Sequence, residues 1–175
     1  MAGYAAIFLE LICKPFEHTE LVWGIVPLYF SWFFAELNGA RANFNTAIQT
    51  GFNFLWASAQ WLWHYSREQG SGGRLHLSGL FAVNVLVTGI TIALGTLALY
   101  SGLRRRFPRY GSFLGHTRFS SYLTITLFPI QSNYLKWSWD RLIAIVLFAI
   151  PIWLILHYGL AGMRAIKSKP SKKRK

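Results

Sequence analysis

Three stretches of this chain, residues 21–37, 77–103 and 142–160, run for about the thickness of a membrane without a single Lys or Arg. A helix needs roughly 20 mostly apolar residues to cross about 30 Å of hydrocarbon. The composition agrees: only 14% of the 175 residues are charged, against about 25% in a soluble domain. An apolar share of 53% excludes disorder, and a single cysteine, Cys13, excludes a disulfide framework. The expected fold class is therefore an all-α integral membrane protein.

Two further segments are weaker. Residues 44–65 carry no Lys, Arg, Asp or Glu but contain Asn45, Gln49, Asn53 and Gln60. Residues 119–135 are rich in Ser and Thr and are interrupted by Pro129. Loop charge decides whether they cross, because basic residues collect on the cytoplasmic side. The second long apolar stretch runs into Arg104, Arg105, Arg106 and Arg109, followed by Arg118. The last runs into Arg164, Lys167, Lys169, Lys172, Lys173, Arg174 and Lys175. If both exits are cytoplasmic, an even number of crossings separates them, so 119–135 must span. If 44–65 spans too, Arg41 also falls inside. Only Lys14, Arg67, Arg74, Lys136 and Arg141 are then left outside. This predicts a bundle of five transmembrane helices with the N-terminus out and the C-terminus in; four spans, without 44–65, is the competing count.

Residues 4–13 are too short to cross. No basic region precedes them and Glu10 lies among them, so they do not read as a signal peptide. Phe8, Leu9, Leu11 and Ile12 beside Glu10, Lys14 and Glu17 predict a short interfacial helix. The chain reads as one polytopic membrane domain, residues 1–165, followed by a basic cytoplasmic tail, residues 166–175.

At 100° per residue, Asn45, Gln49, Asn53, Gln60 and His64 lie within one arc of roughly 100°. An amide facing lipid is costly, so this stripe must face other helices or water. It is either a set of interhelical hydrogen bonds or a path for a polar solute. A second stripe, Asn84, Thr88, Thr91, Gly95, Ala98 and Gly102, is of the small and hydroxylated kind that lets helix backbones approach. The two are expected to pack stripe to stripe. Glu36, the one acid inside a span, is followed by Arg41, and the two form a candidate ion pair.

Catalytic raw material is scarce. The chain has 6 acids, and its 5 histidines show no ligand spacing and divide between the two faces. No cofactor or metal is expected. Seven of the last twelve residues are basic. Beside a membrane such a run is drawn to anionic lipid at about 1 kcal/mol per charge, and no aromatic is interleaved for base stacking. Arg104, Arg105, Arg106, Lys172, Lys173, Arg174 and Lys175 are thus candidate contacts to anionic lipid or to a partner, and no specific nucleic acid is expected.

The function expected from these features is that of a non-catalytic accessory or assembly subunit of a larger membrane complex. Its partners would be other membrane subunits, and a homo-oligomer is an option. A small oligomeric channel or transporter lined by the 44–65 stripe is the alternative, and a membrane-embedded enzyme the third reading. The expected location is a bacterial inner membrane, with the endoplasmic reticulum or another organelle membrane as the alternative.

Overall fold

A computed structural model describes residues 3–38, 43–70, 79–105 and 117–160. These residues form six α-helices and no strand: α1 (Tyr4–Glu17), α2 (Thr19–Asn38), α3 (Phe44–Gly70), α4 (Gly79–Arg104), α5 (Thr117–Gln131) and α6 (Trp139–Gly159).

The helix ends follow from local chemistry. At the start of α3, the Asn43 side chain accepts from the Asn45 and Thr46 N–H groups while Thr46 Oγ1 accepts from Asn43 N–H. Two orphan donors are satisfied by this reciprocal cap. Ser138 caps α6 by accepting from Arg141 N–H, with Asp140 in the first turn. α5 stops at Gln131, short of the 119–135 expected for it. Asn133 takes a left-handed backbone (φ 62°), a conformation that Asn tolerates. Chain reversal there lets the N–H groups of Tyr134 and Leu135 bond the Pro129 carbonyl.

Among the described residues, three segments are long and apolar enough to cross a membrane: Thr19–Leu37, Phe81–Arg104 and Trp139–Gly159. α3 has the length, at 27 residues, but carries the amides. α5, at 15 residues, reaches roughly 22 Å at about 1.5 Å per residue. Length and apolarity therefore support three spans where loop charge counts five.

α5 is the centre of the bundle, with α1, α2, α3 and α6 packed around it. Ile125 and Phe128 are fully buried and Tyr122 and Ile130 nearly so; they meet Phe8, Leu11, Ile25, Leu28, Trp32 and Trp61 in one core. The segment that reads as a doubtful span is thus the axis of the fold. Its hydroxyls are tolerated because they are used: Thr124 and Thr126 donate back to carbonyls of their own helix.

α4 lies outside this core and packs almost wholly on α3. Glycines set the contact. A Cβ on Gly51 would stand 2.7 Å from Leu99 N and 2.8 Å from the Gly95 carbonyl oxygen; on Gly102 it would stand 2.5 Å from Ile48 Cγ1 and 2.8 Å from the Phe44 carbonyl oxygen. The small stripe of α4 does meet α3, but not at the amide stripe expected. Its seat is the Phe44, Ile48, Gly51 and Leu55 face, on the far side of α3 from Gln49 and Asn53. Gly51 explains the choice: only there can two backbones come this close.

α1 is the short helix expected at the start of the chain. It runs antiparallel to α6 within the bundle, with Phe8, Leu11 and Pro15 buried. The Phe8 ring stacks on Phe148 at 4.7 Å. One extended residue, His18, joins α1 to α2.

Replacing Gly51 with Ala forces backbone to move and is expected to cost about 1–3 kcal/mol. Gly89→Ala, with nothing within 4 Å of the new methyl, is expected to be neutral. Thermal unfolding of both variants in mild detergent checks the contrast.

Candidate functional site

Most of the interhelical polar contacts among the described residues fall into two clusters, one at each end of α5. At the end where α5 begins, the Glu36 side chain is fully buried and its Oε1 lies 3.1 Å from Arg118 Nε, whose side chain is 28% exposed. Here the last turn of α2 meets the first turn of α5. Arg41, the partner expected from proximity in sequence, lies outside the described residues. One turn further along, Asn53 Nδ2 donates to Ser121 Oγ at 2.8 Å and Ser120 Oγ approaches Thr50 Oγ1 at 3.5 Å. Gln49 Nε2 donates to Ser31, both to its hydroxyl (2.9 Å) and to its carbonyl (3.1 Å). The expected amide stripe of α3 thus faces α2 and α5.

At the opposite end, Tyr65 O–H donates to Gln131 Oε1 at 2.7 Å, and Thr88 Oγ1 reaches the same oxygen at 3.4 Å. Asn84 Nδ2 donates to Asn133 Oδ1 at 2.8 Å, and Trp137 Nε1 donates to Asn84 Oδ1. The buried His64 stands between Trp63 and Tyr134, its ring edge-on to both. Outside this cluster, Arg67 pairs with Glu20 at 2.9 Å and lies over the Trp63 ring.

Between the clusters the side chains are aromatic. Trp61 and Phe128, both buried, have ring centroids 6.4 Å apart. Trp56 Nε1 donates to the Gly24 carbonyl at 2.8 Å. Gln60 packs on Gly24, where a Cβ would stand 3.1 Å from Gln60 Oε1 and 2.6 Å from Phe128 Cζ. The five polar residues on α3 are therefore not one lining. Asn45 is exposed, Gln49 and Asn53 belong to one cluster, Gln60 lies at the aromatic waist, and His64 belongs to the other. Of the second stripe, Asn84 and Thr88 join the far cluster, whereas the Thr91 hydroxyl donates to the Val87 carbonyl of its own helix.

The sequence gives no hint that Arg118, Ser120, Ser121, Gln131 and Asn133 are the partners. Arg118 reads as a loop charge and the rest as part of a weak span. Their signal was the density of hydroxyls and amides in 119–135, which only an interior helix can carry. Among the basic candidates, Arg104 and Arg105 are exposed at the end of α4. Arg106, Lys172, Lys173, Arg174 and Lys175 lie outside the described residues. Among the described residues, no group of three His, Cys, Asp or Glu is placed to hold a metal ion. Comparisons with protein-family models, curated proteins and solved structures find no match.

Chemically, these clusters hold helices together. Breaking a buried ion pair costs about 3–5 kcal/mol, against about 0.6 kcal/mol for an interhelical hydrogen bond in a membrane. Glu36→Ala is accordingly expected to lower the unfolding temperature in detergent well below that of Gln49→Ala. A double-mutant cycle on Asn53→Ala and Ser121→Ala is expected to give a coupling of about 0.6 kcal/mol. Coupling indistinguishable from zero would contradict the contact.

Proposed function

We propose that this chain is a non-catalytic subunit of a larger membrane assembly, inserted by five crossings, α2 to α6. The His18 end of the bundle is outside and the basic segment 164–175 is in the cytoplasm. One observation carries the functional reading: Gln49, Asn53 and Tyr65 of α3 are bonded to α2 and α5, while α4 and α6 turn apolar faces outward. Val85, Leu86, Ile90, Leu97 and Leu103 on α4, and Val146, Leu147, Ile150 and Ile155 on α6, are each about half or more exposed. A bundle whose interior is occupied by its own side chains acts through its surface. Lipid covers part of that surface, and partner helices the rest.

Aromatic placement supports a transmembrane position for the bundle. Trp23, Trp63 and Trp139 are exposed at the His18 end, and Tyr100 and Tyr158 at the opposite end, as interfacial belts would be. Arg104 and Arg105, beside Tyr100, then meet the anionic cytoplasmic leaflet together with the tail. A bacterial inner membrane suits such a charge bias.

Purification from the native membrane in mild detergent, with mass spectrometry of what co-elutes, tests the reading. It predicts unrelated membrane proteins in stoichiometric amount. It also predicts that Gln49→Leu with Asn53→Leu lowers stability without altering any solute flux. A clean homo-oligomer whose transport is abolished by those two changes would overturn it in favour of a channel or transporter. For topology, a reporter fused after Lys175 is expected to be cytoplasmic and one placed at Gly72 is not; a cytoplasmic Gly72 would contradict five crossings.

A further inference from the structure

The position of α1 carries a consequence beyond the subunit reading, on whose membrane placement it rests. α1 is 14 residues long, too short to cross alone, and Glu10 stands in its middle. Yet it is packed against α2, α5 and α6. Phe8 contacts Tyr122 of α5 at 6.4 Å and Phe148 of α6 at 4.7 Å. Phe148 is roughly 14 Å along α6 from Trp139, at about 1.5 Å per residue. Phe8 therefore lies near the bilayer midplane and the first turn of α1 deeper still.

Glu10 is answered from α6. Arg141 Nη2 lies 3.3 Å from Glu10 Oε2, with side chains 19% and 41% exposed respectively. The same guanidinium donates to the Lys136 carbonyl, which fixes it at the start of α6. The pair stands at the edge of the hydrocarbon, level with the start of α6, where an acid drawn in with α1 is costly unless paired, and Glu10 is paired by the very helix that α1 packs along. α6 in turn meets the rest of the bundle chiefly through α1. Besides α1, α5 ties it through the Tyr122 hydroxyl, which donates to the Ile145 carbonyl at 2.6 Å.

We infer that α1 is a conditionally inserted helix: the Glu10–Arg141 pair draws it into the membrane between α2 and α6, and loss of the pair returns it to the surface. His18, the one residue between α1 and α2, is the hinge. Withdrawal would uncover the seat of Phe8 on Tyr122 and Phe148 and leave α6 loosely held. α1 is thus a wedge that sets whether α6 stands with the bundle or apart from it.

The test uses the full chain in native membranes with Cys13→Ser and a reporter cysteine, Ala6→Cys. Ala6 is exposed on the bundle, so its shielding from a membrane-impermeant maleimide comes from the membrane, as lipid or a partner helix within it. Protection is expected with Glu10 and Arg141 in place. Labelling is expected to rise about tenfold, the change that about 1.4 kcal/mol makes in an equilibrium constant, in either Glu10→Arg or Arg141→Glu. Protection is expected to return in the double exchange Glu10→Arg with Arg141→Glu, which also separates loss of the pair from failure to fold. Labelling in the unexchanged chain, equal protection in all four, or no rescue in the double exchange would each overturn the inference. A chain that leaves the membrane on alkaline extraction would instead overturn the membrane placement itself.

Discussion

A polar side chain away from water must be hydrogen-bonded or it costs more than a helix contact returns. That constraint organises the bundle around α5. Gln49 and Asn53 on one turn of α3, Tyr65 near its end, Glu36 on α2 and Asn84 on α4 each need a partner. Ser31 of α2 answers Gln49. Arg118, Ser121, Gln131 and Asn133, on α5 or the turn that ends it, answer the others. A short helix, too polar to lie against lipid, becomes the centre because three neighbouring helices, α2, α3 and α4, need what it carries.

The division of α3 into two faces follows. One face is committed to amide contacts with α2 and α5, so α4 must take the other, where Gly51 admits it. Close backbone packing at Gly51, Gly95 and Gly102 holds α4 with little side-chain core of its own; Ala98 is its one deeply buried apolar residue among those described. The outward faces of α4 and α6 are then left apolar, which is the physical basis for assigning the chain's work to its surface.

How much of this was legible beforehand varied with the kind of information each feature needs. Local pattern located α2, α4 and α6, because uncharged apolar length is a property of one segment. The amide stripe of α3 was legible for the same reason, being a matter of helical phase. Partner choice was not. The amide face meets α2 and α5 instead of the stripe on α4, and Glu36 takes a partner distant in sequence, Arg118, while Arg41 lies outside the described residues. These pairings depend on which helices lie side by side, and periodicity within one helix does not encode that. The neighbours of α1 were equally hidden: its short apolar run with an acid describes an interfacial helix, and nothing within it names Arg141, more than a hundred positions away, as the partner of Glu10.

The central claim is that the amide face of α3 belongs to α5 and its glycine face to α4. Disulfide formation between introduced cysteines in native membranes, with Cys13→Ser throughout, tests it most directly. Asn53→Cys with Ser121→Cys is predicted to oxidise rapidly and nearly completely, while Gln60→Cys with Thr88→Cys, stripe residues at the same level of α3 and α4, stays reduced. Rapid bridging of the second pair and none of the first would mean that the two polar stripes face each other, and the account of the bundle built on α5 would be wrong.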